Sequence, residues 1–230
     1  MVNFDATIVS GRTGSSANAK TTVDNLIIAG WTGRDAAALR AHIVELEKLG
    51  VPPPKTTPVF YRVASSLLTV ESEVEVVGGN SSGEVEPVLI RMPDGLCLGV
   101  GSDHTDRKVE AIGITVSKQL CPKPIGRSWW PFSEVEGHWD ELEIRSFAVR
   151  KGVRRLYQSG FLKVMRHPTE LMALCFDEKR ELPVGSAMFC GTLPVHGEIE
   201  HADHYELEIL DPVLGRKIHH QYSVKTLPTE

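Results

Sequence analysis

Two glutamates separated by one residue, Glu84 and Glu86, stand at the head of EVEPVLIRM, a run of aliphatic and β-branched residues that reads as a strand. Side chains alternate along a strand, so both carboxylates leave the same face. A turn over Met92 to Gly95 then returns the chain as LCLGVGS, and an antiparallel return carries Asp103 back toward the two glutamates. Three acidic side chains are thereby expected to converge. Like charges at close range raise one another's pKa, and a bound divalent cation relieves them. A set of three hard oxygen donors favours Mg²⁺ or Mn²⁺ over Zn²⁺. Lys118 is expected on the strand that follows. The same Glu-x-Glu spacing also occurs on solvated strand faces, where it binds nothing.

The chain has 230 residues and a formal net charge of -5, enough for one or at most two hydrophobic cores. Its mild acidity argues against nucleic acid or an anionic membrane as the main partner, because both require a broad basic surface. The one locally basic cluster is short, Arg150 to Arg155. No stretch is long and apolar enough to span a bilayer, and the first residues, MVNFDATIVSGRTGSS, lack a signal-peptide pattern, so a cytoplasmic location is expected. Cys97, Cys121, Cys175 and Cys190 are scattered without a C-x-x-C pair and are expected to be buried thiols.

Along the chain, Asn3 to Val9 alternates as a strand, GRTGSSANAKT reads as a loop, and Val23 to Gly30 reads as a buried strand. Gly11 and Gly14 do not have P-loop spacing, and Gly99-Val100-Gly101 lacks the third glycine of a dinucleotide fingerprint. Leu39, Ile43, Leu46 and Leu49 recur at helical spacing, which predicts a helix from about Asp35 to Leu49 ended by the prolines at 52 to 54. His42 and Glu45 are neighbours on that helix, as in many solvated pairs. Tyr61 or Arg62 is a candidate to face a substrate carboxylate. A short alternating strand follows over Glu71 to Val77, then a turn. Further on come a short helix or turn near Pro131 to Leu142, an alternating strand after it, a helix over His167 to Phe176, and a closing hairpin turning at Asp211 to Gly215. The five histidines of that last region do not have zinc-site spacing, since His219 and His220 must point to opposite faces.

In order, Glu-x-Glu at 84–86, Ser-Asp-x-Thr-x-Arg at 102–107 and Ser-Lys-x-x-Cys-Pro at 117–122 resemble the fumarylacetoacetate hydrolase superfamily. Its members carry Glu-x-Glu, Asn-Asp-x-Ser-x-Arg-Asp-x-Gln and Lys-x-x-x-x-x-Pro in that order. Phe60, Arg62, Ser65 and Leu67 are similar to its Phe-x-Lys-Pro-x-Ser-x-Leu segment, LYQSG to its Gln-x-Gly turn, and Gly191-Thr192-x-Pro194 to its Gly-Thr-Pro-Gly. Lys108 and Glu110 depart from the pattern, as does Val63 in place of proline. The Gly30 to His42 interval is also longer than in the family's lid motif.

The resemblance implies a bacterial branch of that superfamily and an α+β fold, a mainly antiparallel mixed β-roll with a few short helices. It implies one domain over 1–230, with N-terminal strands and a lid helix in 1–57 and a catalytic β-roll in 58–230. Glu84, Glu86 and Asp103 would hold Mg²⁺ or Mn²⁺, and Lys118 would face the substrate oxyanion. His42, oriented by Glu45, would move a proton or activate water. Arg62, Arg107 and Thr192 would bind substrate. The implied activity is hydrolysis, decarboxylation or a related step at a carbon–carbon bond beside a 2-oxo or 1,3-dioxo group of a small acid, in a homodimer. A hydrolase of another acid or amide on the same fold and a non-catalytic ligand-binding module are the alternatives.

Overall fold

The computed structural model describes residues 1–48, 53–176 and 181–230. The chain opens with a hairpin, β1 (Val2–Val9) and β2 (Ser16–Val23), then β3 (Asn25–Gly30), the helix α1 (Ala36–Lys48), β4 (Val59–Val63), β5 (Leu68–Thr69) and β6 (Glu73–Val77). Its middle holds β7 (Ser81–Ser82), the hairpin β8 (Val85–Met92) and β9 (Gly95–Ser102), β10 (Thr105–Asp106), and two short helices, α2 (Arg107–Glu110) and α3 (Ile114–Gln119). There follow β11 (Lys123–Pro124), β12 (Ser128–Pro131), α4 (Phe132–Val135), β13 (Glu143–Arg150), β14 (Val153–Phe161), α5 (Pro168–Phe176), β15 (Ser186–Phe189), β16 (His204–Asp211) and β17 (Arg216–Leu227).

Eight strands form one mixed sheet in the order β2-β1-β12-β9-β8-β15-β3-β4, and five form a second in the order β14-β13-β16-β17-β6. Most pairings are antiparallel; β1 with β12, β15 with β3, and β17 with β6 are parallel. This is the α+β, mixed β-roll architecture expected. The hairpin β8–β9 lies inside the large sheet, which explains its nearly unbroken apolar run. One face, with Val85, Leu89, Leu98 and Val100, packs on the five-stranded sheet through Ile144, Tyr157, Tyr205, Leu207 and Tyr222. The other face, with Val88 and Ile90, joins a second cluster containing Phe4, Leu26, Ile28, Trp129 and Phe189.

The glycines of LCLGVGS are explained by this second cluster. A Cβ on Gly99 would stand 2.5 Å from ring carbons of Trp129, and one on Gly101 would stand 2.9 Å from Ile125 and Phe189. At the opposite end of the hairpin a charged network ties the parts together. Glu134 accepts from the Ser10 hydroxyl, from Gly11 N–H at 2.9 Å and from Arg216 Nη1 at 2.6 Å. Arg216 also donates to Asp211 at 3.0 Å and lies 4.3 Å from the Trp130 ring.

Three local expectations change. The second half of GRTGSSANAKT, read as loop, belongs to the edge strand Ser16–Val23, which pairs with β1 along its full length because backbone pairing supplies the order that its small polar side chains do not. Lys118, expected on a strand, is in helix α3, where the β-branched residues Ile114, Thr115 and Val116 are overridden by tertiary packing. LYQSG, expected as a turn, lies within β14. The helix over His167 to Phe176 is confirmed as α5, with Leu171 and Met172 buried against the core. Among the described residues, no helix is long and apolar enough to cross a membrane.

Gly99→Ala should therefore lower the urea midpoint by an amount equivalent to roughly 1–3 kcal/mol, the usual scale for overpacking a filled core. An unchanged midpoint would mean that Trp129 can yield space, against its complete burial.

Candidate metal centre

The register of β8 on β9 pairs Val85 with Ser102 and Glu86 with Gly101. Alternation then sends Glu84, Glu86 and Asp103 toward the same face. One carboxylate oxygen from each lies within 4.8 Å of the others. Glu86 is 2% and Asp103 0% exposed, while Glu84 lies at the rim. Among the described residues this is the one cluster of His, Cys, Asp and Glu with metal-site geometry, so the C-terminal histidines do not gather into another.

Backbone bonds fix the mouth of the hairpin. Asp103 N–H donates to Glu84 O at 3.0 Å, and Glu84 N–H donates to Ser102 Oγ at 3.1 Å. Val85 N–H donates to Gln158 Oε1 at 2.9 Å. Gln158 Nε2 in turn donates to Thr192 Oγ1 at 2.7 Å and to Leu193 O at 2.6 Å, and the Thr192 hydroxyl donates to Val85 O at 2.7 Å. Gly191 N–H reaches Glu86 Oε2 at 2.7 Å. Gly191 has φ of 102°, and a side chain there would collide with Thr32, so only glycine brings that N–H to the carboxylate.

The three carboxylates experience different fields. Burial, with the charges of Asp103 and Glu84 added, pushes Glu86 well above the usual carboxylate range; Lys118 and the Gly191 N–H oppose this only in part. Burial also acts on Asp103, but Lys118, Lys123 and Arg107 overcome it and hold that group below its ordinary value. The Lys118 ammonium bonds Asp103 Oδ2, and Lys123 Nζ lies 3.4 Å from Asp103 Oδ1. Burial works against the charge of Lys118 too, yet Asp103 and Glu84 raise its pKa above that of a free lysine. Next to Asp103, His104 is held between Tyr222 Oη and Ser81 Oγ, each at 2.9 Å, and burial pushes it down to about 3, so it is neutral.

Arg107 lies over Glu84. Its Nη1 donates to Glu110 at 3.0 Å and its Nε to Ser82 Oγ at 2.6 Å, while Nη2 sits 3.0 Å from Glu84 Oε1 as an ion pair outside hydrogen-bond alignment. Thr192 reaches the strand that carries the glutamates. Arg62 is not brought to them: β4 alternates, and its guanidinium points to Cys175 Sγ, 3.4 Å away, and to the Phe176 ring, 5.4 Å away. Tyr61 takes the inward place instead. Lys118 Nζ is 5.7 Å from its ring centroid, and its hydroxyl accepts from Trp31 Nε1 at 3.2 Å. α1 begins after Asp35, whose side chain caps Ala37 and Ala38 N–H; the side chains of His42 and Glu45 lie outside the described residues.

Sequence reasoning assigned no role to Gln158, Gly191 or Lys123. The glutamine stands in the Gln-x-Gly that LYQSG shares with the superfamily, Gly191 precedes the singled-out Thr192, and the two prolines around Lys123 were the available signal for it.

Residues 29–222 match the family described as "Protein of unknown function (DUF2848)". No curated protein matches the sequence. Among solved structures, Cg1458 crystallised with an inhibitor is 16% identical, with 94% of this chain and 84% of that chain covered and a TM-score of 0.64. A Yersinia pestis CO92 protein described as belonging to the fumarylacetoacetate hydrolase family is 16% identical over 96% of this chain and 100% of its own, with a TM-score of 0.63. The structure of 2-keto-3-deoxy-D-arabinonate dehydratase complexed with magnesium and 2,5-dioxopentanoate is 16% identical over 90% and 75%, with a TM-score of 0.60. The chain belongs to the family described as DUF2848, built on the fold of the fumarylacetoacetate hydrolase superfamily.

Proposed function

We propose that this protein is a divalent-metal-dependent hydrolase or lyase that acts at a carbon–carbon bond next to a 2-oxo or 1,3-dioxo group of a small organic acid. The reading is carried by the convergence of Glu84, Glu86 and Asp103 on one buried point. The donor set fits Mg²⁺ or Mn²⁺: three hard oxygens, one of them on a glutamate whose charge its neighbours do not offset. A protein of the same fold, 2-keto-3-deoxy-D-arabinonate dehydratase, has been seen with magnesium and a dioxo acid, which supports the same ion and substrate class here.

Glu84, Glu86 and Asp103 would hold the ion. Bound there, the ion would supply Lewis-acid polarisation of the substrate's oxo group. Lys118 is a buried, charged donor beside that point, and it presents an N–H where negative charge develops on substrate oxygen. Arg107, beside Glu84, and Thr192, bonded to the backbone of Val85 between the two glutamates, orient the acid. Tyr61 closes the side toward β4 and excludes water. His42, with Glu45 three residues further along α1, is assigned the proton transfer or activation of water. The assembly is a homodimer that uses a soluble small molecule rather than nucleic acid or a membrane as its partner.

In calorimetry, Mg²⁺ or Mn²⁺ should bind the wild type, and Glu86→Gln or Asp103→Asn should abolish the heat while circular dichroism is retained. Wild-type affinity in both variants would end the metal assignment. A ligating carboxylate must be ionised, and that of Glu86 is raised, so ion affinity should climb with pH through its titration and weaken in acid. Binding should release protons, detected as a dependence of the heat on buffer ionisation enthalpy; no such dependence would show Glu86 already ionised. Finally, a panel of 2-oxo and dioxo acids assayed with and without Mg²⁺ should reveal turnover that His42→Ala lowers by about 10² or more with ion affinity kept, and that Lys118→Ala lowers far more than it alters ion affinity. Normal turnover in either variant removes that residue from the chemistry.

A further inference from the structure

Lys123 has no part in the reading above, yet it is the more deeply buried of the two lysines beside Asp103, at 0% exposure. Its Nζ lies 2.6 Å from His104 O, 2.6 Å from Lys118 O and 2.9 Å from Cys121 O. A neutral amine has two N–H donors and an ammonium has three. Three carbonyl acceptors therefore call for the charged form and use up all its hydrogens. Asp103 Oδ1, at 3.4 Å, feels this group as a fixed charge rather than as a hydrogen-bond donor. A ring of backbone carbonyls beside a carboxylate is the environment that holds a dehydrated monovalent cation.

The chain around Lys123 is stiff before the ammonium is placed. Pro122 and Pro124 flank it, each with φ fixed by its ring, and the residue before a proline is confined to extended backbone. β11 is moreover paired with β5, Lys123 opposite Leu68. The three carbonyls come from two separate pieces, the stretch just past β9 and the end of α3 with the turn after it. Those pieces carry Asp103 and Lys118. Lys118 differs from Lys123 in that its ammonium bonds the Asp103 carboxylate itself.

We infer that Lys123 is a positioning residue whose ammonium acts as a tethered monovalent cation, clamping the Asp103–His104 segment to the end of α3. The clamp sets Asp103 in place for the divalent ion and keeps a positive charge beside it when Lys118 turns to substrate. Only this second part rests on the metal reading proposed above. Charge and clamp have opposite signatures. By Coulomb's law alone, removing a cation beside a ligand carboxylate strengthens divalent binding. Losing a clamp weakens it, because the carboxylate is no longer held.

The test uses full-length Lys123→Ala beside the wild type, in choline chloride and then in equal concentrations of ammonium, methylammonium or potassium chloride. In choline the variant should melt about 5 °C or more below the wild type. Ammonium or methylammonium should restore at least half of that difference, with no comparable response in the wild type. In the same buffers Mg²⁺ should bind the variant about 10-fold more weakly than the wild type in choline, as for other groups that orient a metal ligand. Ammonium should recover that affinity. A melting point indifferent to the cation, or tighter Mg²⁺ binding in choline, overturns the inference. If the variant does not fold in choline, its refolding yield in ammonium against choline becomes the readout, and equal yields overturn the inference. A wild type that binds no Mg²⁺ removes the metal reading, and the melting arm then decides the clamp by itself.

Discussion

Burying three carboxylates at one point is unfavourable unless positive charge comes with them, and the organisation of this protein follows from that requirement. Glu84 has Arg107, Asp103 has Lys118 and Lys123, and Glu86 is left with a backbone N–H and a raised pKa. Three of these partners follow the hairpin directly in sequence, on α2, α3 and β11, and only the Gly191 turn past β15 comes from far along the chain. Much of the topology around β8 and β9 can be understood as the delivery of compensating groups to that point. The uneven result matters chemically, because the least compensated carboxylate is the one on which an added cation gains most.

How legible this was in the sequence depended on the distance between partners. Glu84, Glu86 and Asp103 could be placed together because a period of two and one tight turn are local rules, and the observed register is the one those rules require. Parity along β4 was also there to be used. It sends Tyr61 inward and Arg62 outward, although the Phe-x-Lys-Pro-x-Ser-x-Leu likeness directed attention to Arg62. Lys118 was singled out correctly as a residue but given the wrong element, since ITVSKQ has strand-like residues and its helix is imposed by surroundings. Ser16–Val23 failed the other way, being a strand without a strand's side chains.

What stayed hidden was the set of groups whose partners lie far off. Gly191 meets Glu86 across 105 residues, and Gln158 meets Val85 across 73. No periodicity announces such a bond; the first follows from β15 lying against β8, and the second from the packing of the five-stranded sheet on the face that carries Val85. The left-handed backbone of Gly191 is the same kind of case, because a glycine in Phe-Cys-Gly-Thr looks like any other turn until Thr32 is seen to fill the space its side chain would need.

The hairpin also bears on the order in which the molecule assembles. All three carboxylates belong to one β8–β9 unit, with Glu84 only 18 residues from Ser102, so their meeting requires closure of a short loop alone. Their restraints, Gln158 and Gly191, arrive through contacts of much greater sequence separation, which form against a larger entropic barrier. Loop closure alone therefore favours the meeting of the acidic side chains ahead of their distant restraints, while their mutual repulsion opposes it until Arg107 and Lys118 pack beside them.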